Sequence, residues 1–172
     1  MVNQKTYNST KTMVNGFTRQ ETISLTGMKS GKLSYLDETQ LVIPHKIGNF
    51  RRPKVFYSGE QVLQLKIIQR LREKLSLQEI RKVIKFLKER EYQPTLFECN
   101  LVLLGEQLYL IEDWQEFGMM ILEASGSNKG QVVIHQIGKI GDVVSTLNNE
   151  AVKSTVPDYQ KRIKGTPLAL SI

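Results

Sequence analysis

Helix-start signals at fixed spacing constrain the fold of this chain more than any other feature. Thr18 and Glu21 form a T-x-x-E capping box, in which each side chain accepts a hydrogen bond from the backbone amide of the other residue. The same arrangement recurs at 58–61 and 76–79, as S-x-x-Q and S-x-x-E. The helices that follow these last two boxes carry one-sided apolar stripes, so both must pack on other elements: Val62, Leu65, Ile68, Leu71 and Ile80, Val83, Ile84, Leu87.

A helix-turn-helix is predicted between the first two boxes. Gly27 stands where a turn between two short helices needs a residue tolerant of positive φ. A second helix is predicted over Ser30 to Glu38, and it would be a recognition helix that contacts DNA through three residues: Lys29, Lys32 and Tyr35.

A basic β-ribbon, or wing, is predicted next. Pro44 ends any helix, and Gly48-Asn49 supplies a turn between short arms within 45–57. The ribbon carries Lys46 and three further cations that we predict to contact DNA: Arg51, Arg52 and Lys54.

The order of these elements resembles the DNA-binding domain of the MerR family of bacterial regulators. The resemblance covers residues 17 to 87 and depends on five segments: T-G-M at 26–28, L-S-Y-L-D at 33–37, L-V-I-P at 41–44, N-F-R-R at 49–52 and S-L-Q-E-I-R at 76–81. It implies a dimeric transcriptional regulator that recognises inverted repeats through the recognition helix, with the wing arginines on the flanking backbone.

The chain departs from the family pattern at three points. The family's recognition helix usually has a phosphate-gripping arginine followed by two aromatic residues, where this chain has Ser34, Tyr35 and Leu36. Pro53 and Lys54 look inserted between the wing arginines and the last wing strand. The family's long dimerising helix is not evident either, because the apolar pattern decays near residue 91 and Pro94 follows.

The excess of basic residues in the winged helix-turn-helix region indicates a polyanionic partner for that region. Residues 17–91 hold 16 Lys and Arg against 8 Asp and Glu, whereas residues 92–172 hold 6 against 9. A basic surface that neutralises phosphates gains affinity by releasing counterions. Solvation of the outer helix faces is an alternative explanation for the cations within 66–90.

The remaining segments are predicted as a disordered polar tail over 1–16, a small mixed α/β module over 95–152 and an extended tail over 153–172. Within the module we expect a hairpin of 101–104 with 108–111, a helix bearing Trp114, a strand at 132–134 and a short helix capped by Asp142. The winged helix-turn-helix would span 17–91, so the fold class is α+β.

No catalytic or metal site is evident from the residues. The two histidines lie far apart without carboxylates or cysteines at ligand spacing, and no nucleophile motif occurs, so we predict a protein that is not an enzyme. G-K-I-G at 138–141 has the spacing of a KH loop, but a strand-to-helix turn is the favoured interpretation. The absence of a signal sequence or membrane span, together with a lone Cys99 expected in the core, favours a cytoplasmic location without membrane contact.

Two alternatives to DNA binding stay open. The first is a receptor for a cyclic dinucleotide such as cyclic di-GMP at a dimer interface, signalling through a partner transcription factor, with four arginines as phosphate and guanine ligands: Arg51, Arg52, Arg70 and Arg72. Arg70 and Arg72 would project about 200° apart on one helix. One of them would then be available to a desolvated dimer seam or to the ligand, while the other is solvated. The weaker alternative is an antitoxin that pairs with a toxin, implied by a resemblance to small regulators that join a MerR-like domain to a short β-containing module and a tail like G-T-P at 165–167. The expected state in all cases is a homodimer whose contact involves residues after 92.

Overall fold

The computed structural model describes residues 15–49, 51–92, 95–104, 107–111, 114–115 and 134–171, and its fold class is α+β, as predicted. The chain forms two compact units, one of residues 1–70 with 143–172 and one of residues 71–142. These limits differ from the boundaries expected from the sequence, because residues 143–172 belong with the N-terminal residues. The predicted tail over 1–16 lies almost entirely outside the described residues.

The helix-turn-helix begins the first unit as predicted. A two-residue strand β1 (Phe17–Thr18) leads into α1 (Arg19–Thr26), which has the predicted capping box at its start. Gly27 has a φ of 73° at the C-terminus of α1, which confirms the need for glycine there. The next helix, α2, spans Ser30–Glu38, the range expected for the recognition helix.

The wing is an antiparallel ribbon of β2 (His45–Ile47) and β3 (Lys54–Tyr57). β1 adds to the other side of β3, so the sheet order is β1-β3-β2. Lys54 pairs with Ile47 inside the ladder and is therefore not an insertion before the strand, which corrects the prediction from the sequence. Pro53 directly precedes β3, so its missing amide removes no ladder hydrogen bond.

The central helix of the first unit is α3 (Gly59–Leu71), which opens with the predicted box between Ser58 and Gln61. Its predicted apolar stripe is buried, but the helix is buried on further sides as well, at Leu63, Gln64 and Ile67. Gln64 satisfies its amide by donating to the Glu60 carboxylate at 2.8 Å. A one-sided stripe was therefore too narrow a prediction for α3.

The second unit combines helices with a three-stranded antiparallel sheet. Its elements are α4 (Leu77–Glu89), α5 (Thr95–Glu98), β4 (Asn100–Leu104), β5 (Gln107–Ile111) and β6 (Ile134–Lys139), with the sheet order β5-β4-β6. The stripe of α4 and the predicted hairpin of β4 with β5 are confirmed. Helix α4 ends at Glu89 and is followed by two residues with positive φ, Glu91 and Tyr92, so it does not extend into a long helix.

The G-K-I-G segment has a structural role in this sheet. Leu101 faces Gly138 while Val102 faces Gln136, which leaves one extra residue in β6, and Gly138 has a φ of 88° at this bulge. A Cβ on Gly141 would lie 2.9 Å from the carbonyl oxygen of Phe97. Both glycines are therefore required by the backbone, and the segment is the favoured strand-to-helix turn.

The C-terminal segment is helical, which corrects two predictions. Helix α6 (Ile140–Ser154) begins two residues before Asp142 and runs for 15 residues, so Asp142 lies in its first turn and does not cap a short helix. The expected extended tail instead contains α7 (Tyr159–Ile163) and a 3₁₀ helix (Pro167–Ser171). Apolar burial explains this outcome, since four residues of the segment are buried: Val156, Tyr159, Ile163 and Leu168.

The structure describes only part of two predicted elements, the helix bearing Trp114 and the strand at 132–134. Trp114 and Gln115 are helical, but the rest of the helix expected there lies outside the described residues, as do residues 132 and 133 of the predicted strand. Within the described part of the chain, none of the helices combines the length and apolar character that a bilayer crossing demands.

Candidate nucleic-acid interface

Helix α2, which the sequence predicts as the recognition helix, presents a basic and aromatic edge. Lys29 precedes its first turn, and Lys32 and Tyr35 follow at intervals of three residues, so the three are neighbours along the helix. All three are exposed, Tyr35 to 47%, while Leu33 and Leu36 of the same helix are buried. An aromatic residue this exposed beside two lysines is available for contact with another molecule.

The wing presents a second group of exposed cations. Arg51, Arg52 and Lys54 are all exposed, and the turn that carries the arginines is closed by a hydrogen bond from the Arg52 amide to the Asn49 carbonyl, at 3.1 Å. Ile47, which pairs with Lys54, is 38% exposed. The predicted DNA-contacting residues of the wing are thus solvent-accessible.

An ion pair joins the wing to the recognition helix. The Lys46 ammonium on β2 lies 2.5 Å from the Asp37 carboxylate on α2. Gln61 on α3 makes a separate link, because its side-chain amide donates to the Ile43 carbonyl just before the wing. The ion pair links β2 to α2, which gives Lys46 a positioning role that differs from that of the exposed wing cations Arg51, Arg52 and Lys54.

Arg19 was missed by the sequence reasoning, although it lies against the recognition helix. It extends from the first turn of α1 to α2, where Nη2 donates to the Ser34 hydroxyl and to the Ser30 carbonyl, each at 2.7 Å. Nε donates to the Ser30 hydroxyl at 3.1 Å. The residues in contact are 11 and 15 positions apart, so no local motif could indicate them. Ser34, where the family pattern has an arginine, is thus adjacent to a guanidinium from another helix.

Tyr57 lies at the base of the wing with its hydroxyl buried, and that hydroxyl has no hydrogen-bond partner within the described ranges. Burial raises the pKa of the Tyr57 phenol above its usual value of 10, with the positive charge of Arg19 opposing this effect and the negative charge of Asp37 adding to it. The phenol is therefore neutral at physiological pH. Tyr57 thus lies close enough to Arg19 of α1 and Asp37 of α2 for both charges to affect its pKa.

The C-terminal helix α7 is tied to the start of the helix-turn-helix by Arg162. Its guanidinium pairs with both oxygens of Glu21, at 2.8 and 2.6 Å, and also donates to the Gly16 carbonyl at 2.7 Å. The same group lies 4.5 Å from the ring centroid of Phe17, which in turn is 5.8 Å from the ring of Tyr159. Residues near both ends of the first unit therefore support the first turn of α1.

Two pKa shifts follow from this arrangement. The hydrogen bond from Arg162 lowers the pKa of Glu21 to about 2, with the Thr18 capping bonds contributing in the same direction. Burial raises the pKa of Tyr159 to about 12, and its hydroxyl donates to the Asn148 side chain at 2.9 Å. Glu21 thus stays ionised well below neutral pH, so it serves as both a helix cap and an ion-pair partner.

The arginines of the cyclic dinucleotide alternative differ from expectation. Arg70 occupies the last turn of α3, but the helix ends at Leu71, so Arg72 lies beyond it and donates to the Leu75 carbonyl at 3.4 Å. Both side chains belong to exposed residues. The prediction that they share one helix is therefore wrong, and in the single chain neither lies at a desolvated seam.

The remaining candidate residues do not form a metal site within the described ranges. His45 is exposed on β2, and Cys99 is buried in the second unit. Across the ranges that the structure covers, no three His, Cys, Asp or Glu residues come together as a metal site would require.

Comparison with known proteins identifies the N-terminal region. Residues 17–87 match the family described as MerR HTH family regulatory protein. No curated protein sequence matched the chain. The matched range covers α1, α2, the wing, α3 and most of α4, so this part of the chain is a MerR-like helix-turn-helix region, as the resemblance predicted.

Proposed function

Starting from the MerR-like region, we propose that this protein is a transcriptional regulator that binds DNA as a homodimer, with α2 in the major groove and the wing on the flanking backbone. The observation that carries the proposal is the exposed row of Lys29, Lys32 and Tyr35 on a helix that is anchored by two buried leucines, Leu33 and Leu36. Lysines contact phosphates and base edges, and an exposed tyrosine can contact bases or sugars.

The wing contributes sequence-independent affinity in this proposal. Arg51 and Arg52 are exposed cations on a short turn, and the ion pair between Lys46 and Asp37 holds the ribbon that carries them in place. Arginines on the phosphate backbone determine how strongly affinity depends on salt but carry no base information.

The test is a salt titration with matched arginine variants. A DNA ligand is selected from a random duplex pool, and its affinity is followed by fluorescence anisotropy between 50 and 200 mM salt. The salt slope is the steepness with which the logarithm of the affinity falls with the logarithm of the salt concentration. Arg51→Ala and Arg52→Ala should each lower this slope by about 1 and should weaken binding to all DNA sequences similarly. Arg70→Ala and Arg72→Ala, which remove exposed arginines outside α2 and the wing, are the controls and should leave the slope unchanged. A wild type that enriches no sequence and shows no salt-dependent binding would contradict the proposal.

The dimeric state and the cyclic dinucleotide alternative are tested on the same protein. Two half-sites related by symmetry require two copies of α2, so light scattering at tens of micromolar should give a dimer. Calorimetry with cyclic di-GMP should show no heat if DNA is the ligand. Saturable heat that is lost in Arg70→Ala and Arg72→Ala would favour the nucleotide over DNA.

A further inference from the structure

Arg19 combines a fixed position beside the recognition helix with an uncompensated charge. Its residue is half-buried, and three hydrogen bonds hold its Nε and Nη2 atoms against Ser30 and Ser34. No carboxylate among the residues that the structure describes comes within ion-pair distance of it. A half-buried guanidinium that lacks a carboxylate partner can pair with an anion supplied by another molecule.

The hydrogen bonds leave one part of the guanidinium available. Nε uses its single hydrogen on Ser30, and Nη2 uses both of its hydrogens on Ser30 and Ser34. The described residues provide no acceptor for Nη1, whose two hydrogens therefore remain. A guanidinium held on one side has lost much of its rotamer freedom before it meets a ligand, which favours hydrogen bonding to a fixed anion.

We propose that Arg19 contacts a DNA phosphate through Nη1, with Ser30 and Ser34 holding the guanidinium in place. The proposal rests on the DNA-binding function proposed above and adds a residue to it. A serine at position 34 then has a defined role, because it leaves space beside α2 for a guanidinium supplied by α1 and accepts one of its hydrogen bonds. The charge needed at this side of α2 comes from another helix.

The experiment measures binding of a fluorescein-labelled duplex of mixed sequence by anisotropy, because a phosphate contact is independent of sequence. Arg19→Gln should weaken binding roughly tenfold at 100 mM salt and lower the salt slope by about 1. Lys153→Gln, which removes an exposed charge from α6, is the matched control and should leave the slope at the wild-type value. Circular dichroism melting shows which variants are folded at the assay temperature.

Two conservative variants keep the test decisive if Arg19→Gln does not fold. Arg19→Lys retains the charge but cannot bridge both serines and a phosphate, so affinity should fall severalfold with the slope unchanged. Ser34→Ala removes one anchor and should weaken binding two- to threefold, also without a change in slope. A lysine variant that binds as tightly as the wild type would overturn the proposed guanidinium contact.

The outcomes separate this inference from the proposed function. If the wild type binds the duplex and Arg19→Gln keeps the full salt slope while folded, Arg19 only joins α1 to α2, and DNA binding still stands. If the wild type does not bind the duplex with any salt dependence, the function and the Arg19 contact fail together.

Discussion

The ion pair between Glu21 and Arg162 should be one of the larger single contributions to the stability of the first unit. Substituting Glu21 by Gln removes the charge and keeps an acceptor for the Thr18 amide, because the Ser58 box in the same chain already uses a glutamine in this role. The substitution therefore isolates the ion pair from the helix cap. It leaves the Arg162 guanidinium, with a side chain only 14% exposed, without its carboxylate partner.

The magnitude follows from the pKa of Glu21. Its lowering from 4.5 to about 2 corresponds to about 3 kcal/mol at 1.36 kcal/mol per pKa unit, and Arg162 is the largest cause while the Thr18 hydrogen bonds supply a further part. Because the Thr18 bonds persist in the glutamine variant and solvent screens a side chain that is 22% exposed, about half of this, ~1 to 2 kcal/mol, is the expected loss of unfolding free energy at pH 7. The folded-state pKa is the lower one, so this stabilisation is present above about pH 4.5. It is lost as the pH falls towards 2.

The assay is urea unfolding of a double-mutant cycle with Glu21→Gln and Arg162→Met, repeated from pH 7 to pH 3. A coupling of ~1 to 2 kcal/mol at pH 7 that has fallen by more than half at pH 3 is expected. The control cycle uses Lys85 and Glu89, an exposed pair at 3.7 Å on α4, and should give no more than about 0.5 kcal/mol. Equal couplings in the two cycles, or a Glu21 coupling that is independent of pH, would refute the reasoning.

Local signals made the helix-turn-helix predictable from sequence. The capping boxes, the positive-φ Gly27 and the range of α2 depend on residues within a few positions of one another, and the structure has them as expected. The hairpin of β4 with β5 could be predicted equally well, because two apolar runs flank a short polar turn.

Contacts between distant segments could not be predicted in the same way. Arg162 meets Glu21 across 141 positions, and Arg19 meets Ser34 across 15, so neither pair leaves a periodic or local signal. The C-terminal segment was misjudged for a related reason. Its proline and glycine residues suggested extended chain, whereas its apolar side chains become buried and stabilise short helices that are too small to show a clear period.

Two glycine substitutions test close backbone packing in the two units. Gly141→Ala should lower the free energy of unfolding by about 1–3 kcal/mol, because the added Cβ would lie 2.9 Å from the fixed carbonyl oxygen of Phe97; urea unfolding that matches the wild type would contradict this. Gly59→Ala should cost a similar amount, since its Cβ would lie 2.7–2.9 Å from three side-chain atoms of Thr166, a β-branched residue whose χ1 is restricted. Thr166→Gly alone also destabilises, because it removes the hydrogen bond from the Thr166 hydroxyl to the Ile163 carbonyl. If the steric contact is the cause, the double variant should be more stable, by about 1 kcal/mol, than the sum of the single changes predicts. Simple additivity in urea unfolding would mean that Thr166 moves aside and that the approach of the 3₁₀ segment to α3 is not tightly packed.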